Sequence, residues 1–115
     1  MRPHLLAWQW SDYSDKHRSR ANLLIHLAAV PAFQLGSMLI VWGVLGFALA
    51  VAAVGAVFVV VSVALQGRGH RLEAETPVPF RGPGDFISRL IAEQWITFPR
   101  FVISGGWYRN LTRSS

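Results

Sequence analysis

Residues 21–67 decide the fold. They read ANLLIHLAAVPAFQLGSMLIVWGVLGFALAVAAVGAVFVVVSVALQG and contain no Asp, Glu, Lys or Arg. One helical crossing of a bilayer needs about 20 apolar residues, so this stretch accommodates two crossings and a tight turn but not three. The sequence WGVLG at 42–46 is the expected turn, because its glycines loosen a helix and its Trp suits a membrane interface. We therefore predict transmembrane helices over residues 21–42 and 45–66.

The composition of the whole chain points to the same class of protein. Hydrophobic residues make up 52% and charged residues only 15% of the 115 residues, whereas soluble domains carry about 25% charged residues. This length allows one domain, residues 1–115. A soluble protein with a buried helix pair is the alternative, but so short a chain could hardly cover both helices on all sides.

Basic residues flank the apolar stretch at both ends. Lys16, Arg18 and Arg20 precede it, and Arg68 and Arg71 follow it. Two crossings return the chain to its starting side, and the positive-inside rule then places both clusters and both termini in the cytoplasm. Membrane orientation and anionic headgroups account for the net charge of +5. Nucleic-acid binding is not expected, since no motif for it is present.

The segments outside the apolar stretch are predicted to lie in the membrane interface. Residues 5–16 mix aromatic and polar side chains, and residues 85–98 place apolar side chains at helical spacing. Pro99 is expected to end the second of these helices. The predicted fold class is an all-α membrane protein, a transmembrane helical hairpin with interfacial amphipathic helices at both ends. Ten arginines against one lysine suggest a GC-rich genome, so we expect a bacterial inner-membrane protein.

Two short motifs carry the residues that could perform chemistry. The first, HRSRANLLIH, places His17, Asn22 and His26 at the first membrane entry, and the second, HRLE, places His70 and Glu73 at the exit. Because a hairpin brings its two ends together, three of the four histidines are predicted to lie side by side. Imidazole binds iron, zinc, copper and nickel well, so these three are candidate metal ligands. The lack of cysteine excludes thiolate ligands and disulfides.

Structural roles for the same residues are equally open at this point. His26 could hydrogen-bond to Gln66 or to a carbonyl, with the other two histidines facing lipid headgroups. His17 lies nine residues before His26, half a rotation away on a straight helix, so it reaches a shared metal only if it precedes the helix or the helix bends. Arg68 and Arg71 could anchor the membrane edge or, beside a metal, pair with a substrate carboxylate.

The two motifs resemble those of a family of small membrane proteins, the domain-of-unknown-function 962 family, whose named member acts in the metabolism of phytosphingosine to odd-numbered fatty acids. The resemblance covers roughly residues 13–77, and the C-terminal QWITFPRFVISGGW looks like that of a bacterial branch. Ala29 stands where the family pattern has glycine. The matching residues are His17, Asn22, His26, Pro31, Gly69, His70, Glu73 and Pro77.

The resemblance implies an iron(II)-dependent dioxygenase that uses O2 to shorten 2-hydroxy fatty acids by one carbon, with loss of the carboxyl carbon. It implies that His17, His26 and His70 bind the iron, and that Asn22 and Glu73 belong to the catalytic site. Glu73 is expected to orient a ligating histidine rather than to bind the metal, because three histidines already complete a facial set. The acyl chain would lie between the hairpin and the C-terminal amphipathic segment.

Two other classes of function fit the same residues. A zinc-dependent lipid hydrolase could use the same ligands, and a non-catalytic scaffold or holin-like pore former would need only the hairpin. The expected partners are the membrane and a lipid or fatty-acid substrate. The small-residue face of Ala48, Ala52 and Ala56 is expected to form contacts within the hairpin, with a homo-oligomer seam as the alternative. His4 is expected to be exposed to solvent.

Overall fold

The structure, a computed structural model, describes residues 3–75 and 77–113 of the chain, so Met1, Arg2, Thr76 and the last two residues of the predicted 1–115 domain lie outside the described part. Every regular element within those ranges is helical, which confirms the all-α prediction for them. A 3₁₀ turn at Ser14–Lys16 and a π-helical segment at Glu93–Thr97 connect these helices. The helices are α1 (Leu5–Ser11), α2 (Arg20–Leu45), α3 (Leu49–His70), α4 (Pro83–Ala92), α5 (Phe98–Ile103) and α6 (Gly106–Arg113).

The turn between the two long helices lies later in the chain than predicted. Helix α2 continues through residue 42 to Leu45, and α3 spans residues 49–70 rather than 45–66. Gly43 lies within α2 and does not interrupt it. Glycine is needed there because the backbone of Ala52 on α3 lies so close that a Cβ would collide with it. The turn instead contains Phe47 with a φ of 54°, in the left-handed region. Glycine at position 43 therefore permits close packing beside the turn, and it does not end the helix.

Helices α2 and α3 run antiparallel and in close contact. Gly36 faces Gly55, and near the other end the Ser62 hydroxyl donates a hydrogen bond to the Ala29 carbonyl. The predicted small-residue contact within the pair is correct for Ala52, whereas Ala56 is exposed and Gly55 occupies the seam instead. Small residues let the two backbones approach closely along this seam.

The outer surface of the helix pair is almost entirely apolar. Both helices are long and apolar enough to cross a membrane, with only 28% and 17% of their most apolar windows buried. The core helix of a soluble protein would be mostly covered by other parts of the chain. The large exposed side chains include Leu24, Met38, Trp42, Val57 and Val60.

The remaining helices gather at the end of the pair where α2 begins and α3 ends. Tyr13, Leu23, Val30, Phe98 and Phe101 form a buried apolar cluster there. From α6, the Asn110 amide donates to the backbone carbonyl of His17. The N-terminal and C-terminal segments therefore pack on one end of α2 and α3 and leave the turn end uncovered.

Helix α4 and its continuation present their polar side to the interior. Asp85 and Arg89 are buried, whereas Ile87 and Ile91 are about half exposed. The chain is helical beyond the predicted range of residues 85–98. Pro99 was expected to end the predicted helix, but it lies in the first turn of α5 and the chain continues helical after it. Proline is tolerated there because a first-turn residue needs no intrahelical N–H donor.

Candidate metal centre

Three histidine rings meet at the covered end of the helix pair. The ring centroids of His17, His26 and His70 are 4.9–5.0 Å apart. His17 and His26 are 2% and 0% exposed, and His70 is partly buried. The structure thus brings together the three histidines that the sequence motifs singled out. It leaves the fourth, His4, exposed outside this group, as expected.

The position of each ring follows from its place in the local structure. His26 lies in the second turn of α2, and His70 is the last residue of α3. His17 follows the 3₁₀ turn and precedes the start of α2 at Arg20. Because His17 lies outside the helix, the half-rotation that would separate it from His26 does not apply. The sequence left two ways for His17 to reach the other rings, a position before the helix or a bend in the helix. The structure shows the first.

Glu93 joins the histidines as a fourth side chain. One potential ligand atom from each of His17, His26, His70 and Glu93 lies within 4.8 Å of the other three, so this group could hold a metal ion. Oε2 of Glu93 lies 3.3 Å from Nε2 of His17 and 3.7 Å from Nε2 of His26. The carboxylate comes from the π-helical segment, a type of distortion frequently found at functional sites.

Backbone carbonyls orient two of the rings toward the shared point. Nδ1 of His17 lies 2.8 Å from the Tyr13 carbonyl, and Nδ1 of His26 lies 3.1 Å from the Asn22 carbonyl. A carbonyl only accepts, so each Nδ1 carries the proton and each Nε2 keeps its lone pair. These two Nε2 atoms are buried and, among the described residues, have no hydrogen-bond partner.

A metal ion fits this donor set. Unpaired buried nitrogen atoms are costly in a folded protein unless something binds them, and here two of them face an acidic oxygen. Nδ1 of His70 is likewise buried without a hydrogen-bond partner within the described ranges. Hydrogen bonds from the outer ring nitrogen of metal-binding histidines to carbonyls are a recurrent feature of metal sites.

The ionisation of the acidic group also suits a cation. Burial alone would raise the pKa of the Glu93 carboxyl, but the adjoining rings of His17, His26 and His70, whenever they carry a proton, bring that pKa well below its ordinary value. Burial, followed by the neighbouring Glu93 carboxylate, raises the pKa of the Tyr13 hydroxyl well above its ordinary value. The pair therefore consists of a carboxylate and a neutral phenol that donates a hydrogen bond to it.

Glu73 lies outside the group of four and supports the chain around it. Its carboxylate accepts hydrogen bonds from the backbone N–H groups of Arg18 and Ser19 and, at 2.6 Å, from Nδ2 of Asn22. The first two donors follow His17 directly and lie at the start of α2. Glu73 thus joins the segment after α3 to the beginning of α2, and Asn22 in turn offers its carbonyl to His26.

A cavity of about 400 Å³ adjoins the histidines and Glu93. His17, His70 and Glu93 form part of its wall, and most of the remaining wall is apolar. Of the two arginines predicted to bind substrate, Arg71 borders this cavity and Arg68 does not. Four of its charged lining residues were not predicted from the sequence to belong to a site, namely Asp12, Lys16, Arg89 and Glu93.

A buried amide pair anchors the π-helical segment to α3. Gln66 and Gln94 exchange hydrogen bonds of 2.8 and 2.7 Å through their side-chain amides, and Gln34 on α2 donates to the Gln94 carbonyl. Gln66 is therefore the partner of Gln94 and Ser62 and not of His26. The carbonyl partner that the structural interpretation also allowed for His26 is present, at Asn22. This pair holds the residue next to Glu93 against both long helices.

Comparisons of the chain with protein-family models, with curated proteins and with solved structures give no match.

Proposed function

We propose that this chain is a membrane-embedded, iron(II)-dependent dioxygenase that shortens 2-hydroxy fatty acids by one carbon, as a relative of the domain-of-unknown-function 962 family. The observation that carries the proposal is the convergence of three imidazoles and one carboxylate within 4.8 Å, beside a mainly apolar cavity. The two sequence motifs that resemble the family supply the three imidazoles.

The exposed surface of α2 and α3 supports a position in the membrane. Insertion would remove the apolar side chains of both helices from water, at about 25 cal/mol for each Å² buried. Arg20 and Arg68 lie at the same end of the pair, so two crossings place both basic clusters on one side. We propose the cytoplasmic side of a bacterial inner membrane, with the site at headgroup level.

Iron is preferred to zinc because of the number of donors. Four protein ligands would close a tetrahedral zinc site, whereas a six-coordinate iron would keep two positions open. The four side chains that would hold the ion are those of His17, His26, His70 and Glu93. When bound, iron(II) would supply the redox chemistry that O2 requires.

The proposed reaction balances without a further reductant. A 2-hydroxy acid RCH(OH)COOH and O2 give RCOOH, CO2 and H2O. The bond between the carboxyl carbon and the 2-carbon breaks, and the substrate carbons lose the four electrons that O2 takes up. Arg71 at the cavity wall would hold the substrate carboxylate through charge-assisted hydrogen bonds. Lys16, whose Nζ donates to Asp12 at 2.8 Å, lies on the same wall. Apolar wall residues such as Phe86 and Leu90 would exclude water from the acyl chain.

The proposal is tested by metal content and product formation in the same preparations. The wild type, purified in detergent with iron present and without oxygen, should carry stoichiometric iron and convert 2-hydroxy fatty acids to acids one carbon shorter. His26→Ala should lose both the iron and the product, because it removes a ligand that is 0% exposed. His4→Ala is the matched control, since this histidine is exposed outside the cluster.

Membrane extraction with carbonate should show that the His26→Ala variant still inserts. An active His26→Ala enzyme would refute the proposal. Zinc in place of iron, with no oxygen-dependent turnover, would indicate the lipid hydrolase. A wild type that binds no metal even after reconstitution would indicate a non-catalytic membrane protein.

A further inference from the structure

Tyr13 is a buried residue that the proposed reaction does not use. It is 4% exposed, lies two residues after α1, and belongs to the apolar cluster at the covered end of the helix pair. It also forms part of the wall of the cavity beside the histidines. A buried hydroxyl in such a place needs a hydrogen-bond partner.

The hydroxyl of Tyr13 donates a hydrogen bond of 2.7 Å to Oε2 of Glu93. This is the same oxygen that lies 3.3 Å from Nε2 of His17 and 3.7 Å from Nε2 of His26. The phenol therefore holds the carboxylate oxygen that faces the two unpaired histidine nitrogens. Without this bond, Glu93 could rotate about its side chain and turn that oxygen away.

Tyr13 also positions His17. Its ring stacks on the imidazole with centroids 3.8 Å apart and planes 17° from parallel, and its carbonyl accepts the Nδ1 proton of that ring. An edge contact with Phe101, with ring centroids 5.2 Å apart, adds to the packing around the ring of Tyr13. One residue thus contacts two of the four side chains that converge.

We propose that Tyr13 is a positioning residue of the metal centre, whose hydroxyl sets the ligating oxygen of Glu93. The inference rests on the proposed metal site and deepens it, because it makes the carboxylate a fixed ligand rather than a mobile neighbour. The ring and the carbonyl of Tyr13 contact His17, and these contacts do not involve the hydroxyl. A Tyr13→Phe substitution removes the hydroxyl alone and keeps the stack, the carbonyl and the packing.

The test is Co²⁺ binding to the full-length protein in detergent, measured by competition with a chelator and by the visible absorption of the bound ion. Tyr13→Phe should weaken Co²⁺ binding roughly 10- to 100-fold, the usual loss when a residue supporting a metal ligand is removed. It should also change the absorption bands, because the carboxylate donor changes. Tyr108→Phe is the control, since Tyr108 is 64% exposed and should leave both measurements unchanged.

A double-mutant cycle separates positioning from loss of fold. In a Glu93→Gln background, Tyr13→Phe should have little further effect, because the hydroxyl acts through the carboxylate. Unchanged affinity and spectrum in Tyr13→Phe would overturn this inference and leave the metal site standing. An equal loss in the Glu93→Gln background would overturn it as well. A wild type that does not bind Co²⁺ would overturn the proposed function itself.

Discussion

The carboxylate of Glu73 satisfies three donors that would otherwise be unpaired where α2 begins. Two are the backbone N–H groups of Arg18 and Ser19, and the third is the side-chain amide of Asn22. The N–H groups at the start of a helix have no partner within the helix. Glu73 is 8% exposed, so water is a poor substitute. Its role is to hold the chain that follows His17.

Glu73→Gln should lower metal affinity by roughly 10-fold or more, because one acceptor oxygen becomes an amide donor facing other donors. The melting temperature of the purified protein should fall as well, since buried donors without partners cost about 1–3 kcal/mol each. Glu75→Gln is the matched control, because Glu75 is exposed two positions away. Metal titration and thermal unfolding in detergent measure both effects. Equal metal affinity and equal melting temperature of Glu73→Gln and Glu75→Gln would rule out the role of Glu73 in holding the chain that follows His17.

The residues of the candidate metal site and its surroundings differ in how easily the sequence reveals them. His26 is conspicuous because it lies within a stretch without charge, and the hairpin pattern brings His70 back beside it. Glu93 and Tyr13 lie outside that stretch, in segments predicted to lie in the membrane interface, where polar side chains are common and do not mark a site. A polar residue every four positions, at Asp85, Arg89, Glu93 and Thr97, was the available signal for a buried polar face.

The orientation of α4 reverses the rule for soluble helices. Its polar residues Asp85 and Arg89 face inward, and its isoleucines face out. In a membrane interface, lipid can cover the outward apolar face of the helix, while its polar face is available to the candidate site. The inward polar face of α4 therefore agrees with a helix that lies in the membrane interface. The amphipathic pattern predicted the helix but could not tell which side the protein would use.

The seam between α2 and α3 depends on glycine. A Cβ on Gly55 would lie 2.8 Å from the backbone nitrogen of Ile40, whereas a Cβ on Gly67 of the same helix would meet nothing within 4 Å. The length and apolar character of these helices were predictable from the uncharged stretch. The position of the turn was not predictable, because the glycines of WGVLG suit either a turn or close helix packing. Gly43 packs closely against the backbone of Ala52.

Gly55→Ala should destabilise the protein by about 1–3 kcal/mol, the usual cost of overpacking a tight contact. Gly67→Ala should be neutral or stabilising by up to about 1 kcal/mol, since alanine favours a helix more than glycine does. Thermal unfolding of both variants in the same detergent gives the comparison. A Gly55→Ala variant as stable as Gly67→Ala would mean that the seam is looser than the structure indicates.

Across the whole molecule, the terminal segments cover one end of the helix pair and leave the other end exposed. All the terminal helices gather at one end of α2 and α3, and the turn at the other end carries Phe47 with 91% exposure. In the proposed orientation, Phe47 would emerge on the periplasmic side. The N-terminal helix α1 would lie on the cytoplasmic side.

Single-cysteine labelling can check this topology, because the natural chain contains no cysteine. Phe47→Cys should react with a membrane-impermeant maleimide added outside spheroplasts, and Ser11→Cys should react only in inverted vesicles. Both positions are exposed in the structure. Labelling of both variants from the same side would contradict two crossings.

The four converging side chains come from positions 17, 26, 70 and 93, which gives the protein an order of biogenesis. A nascent chain that has emerged only as far as Ala92 already contains both long helices but lacks the fourth donor. In the proposed membrane orientation, the helix pair could therefore insert during translation, before the candidate metal site is complete. Premature termination after α3 and before Glu93 would give a chain with both long helices but without the fourth potential ligand.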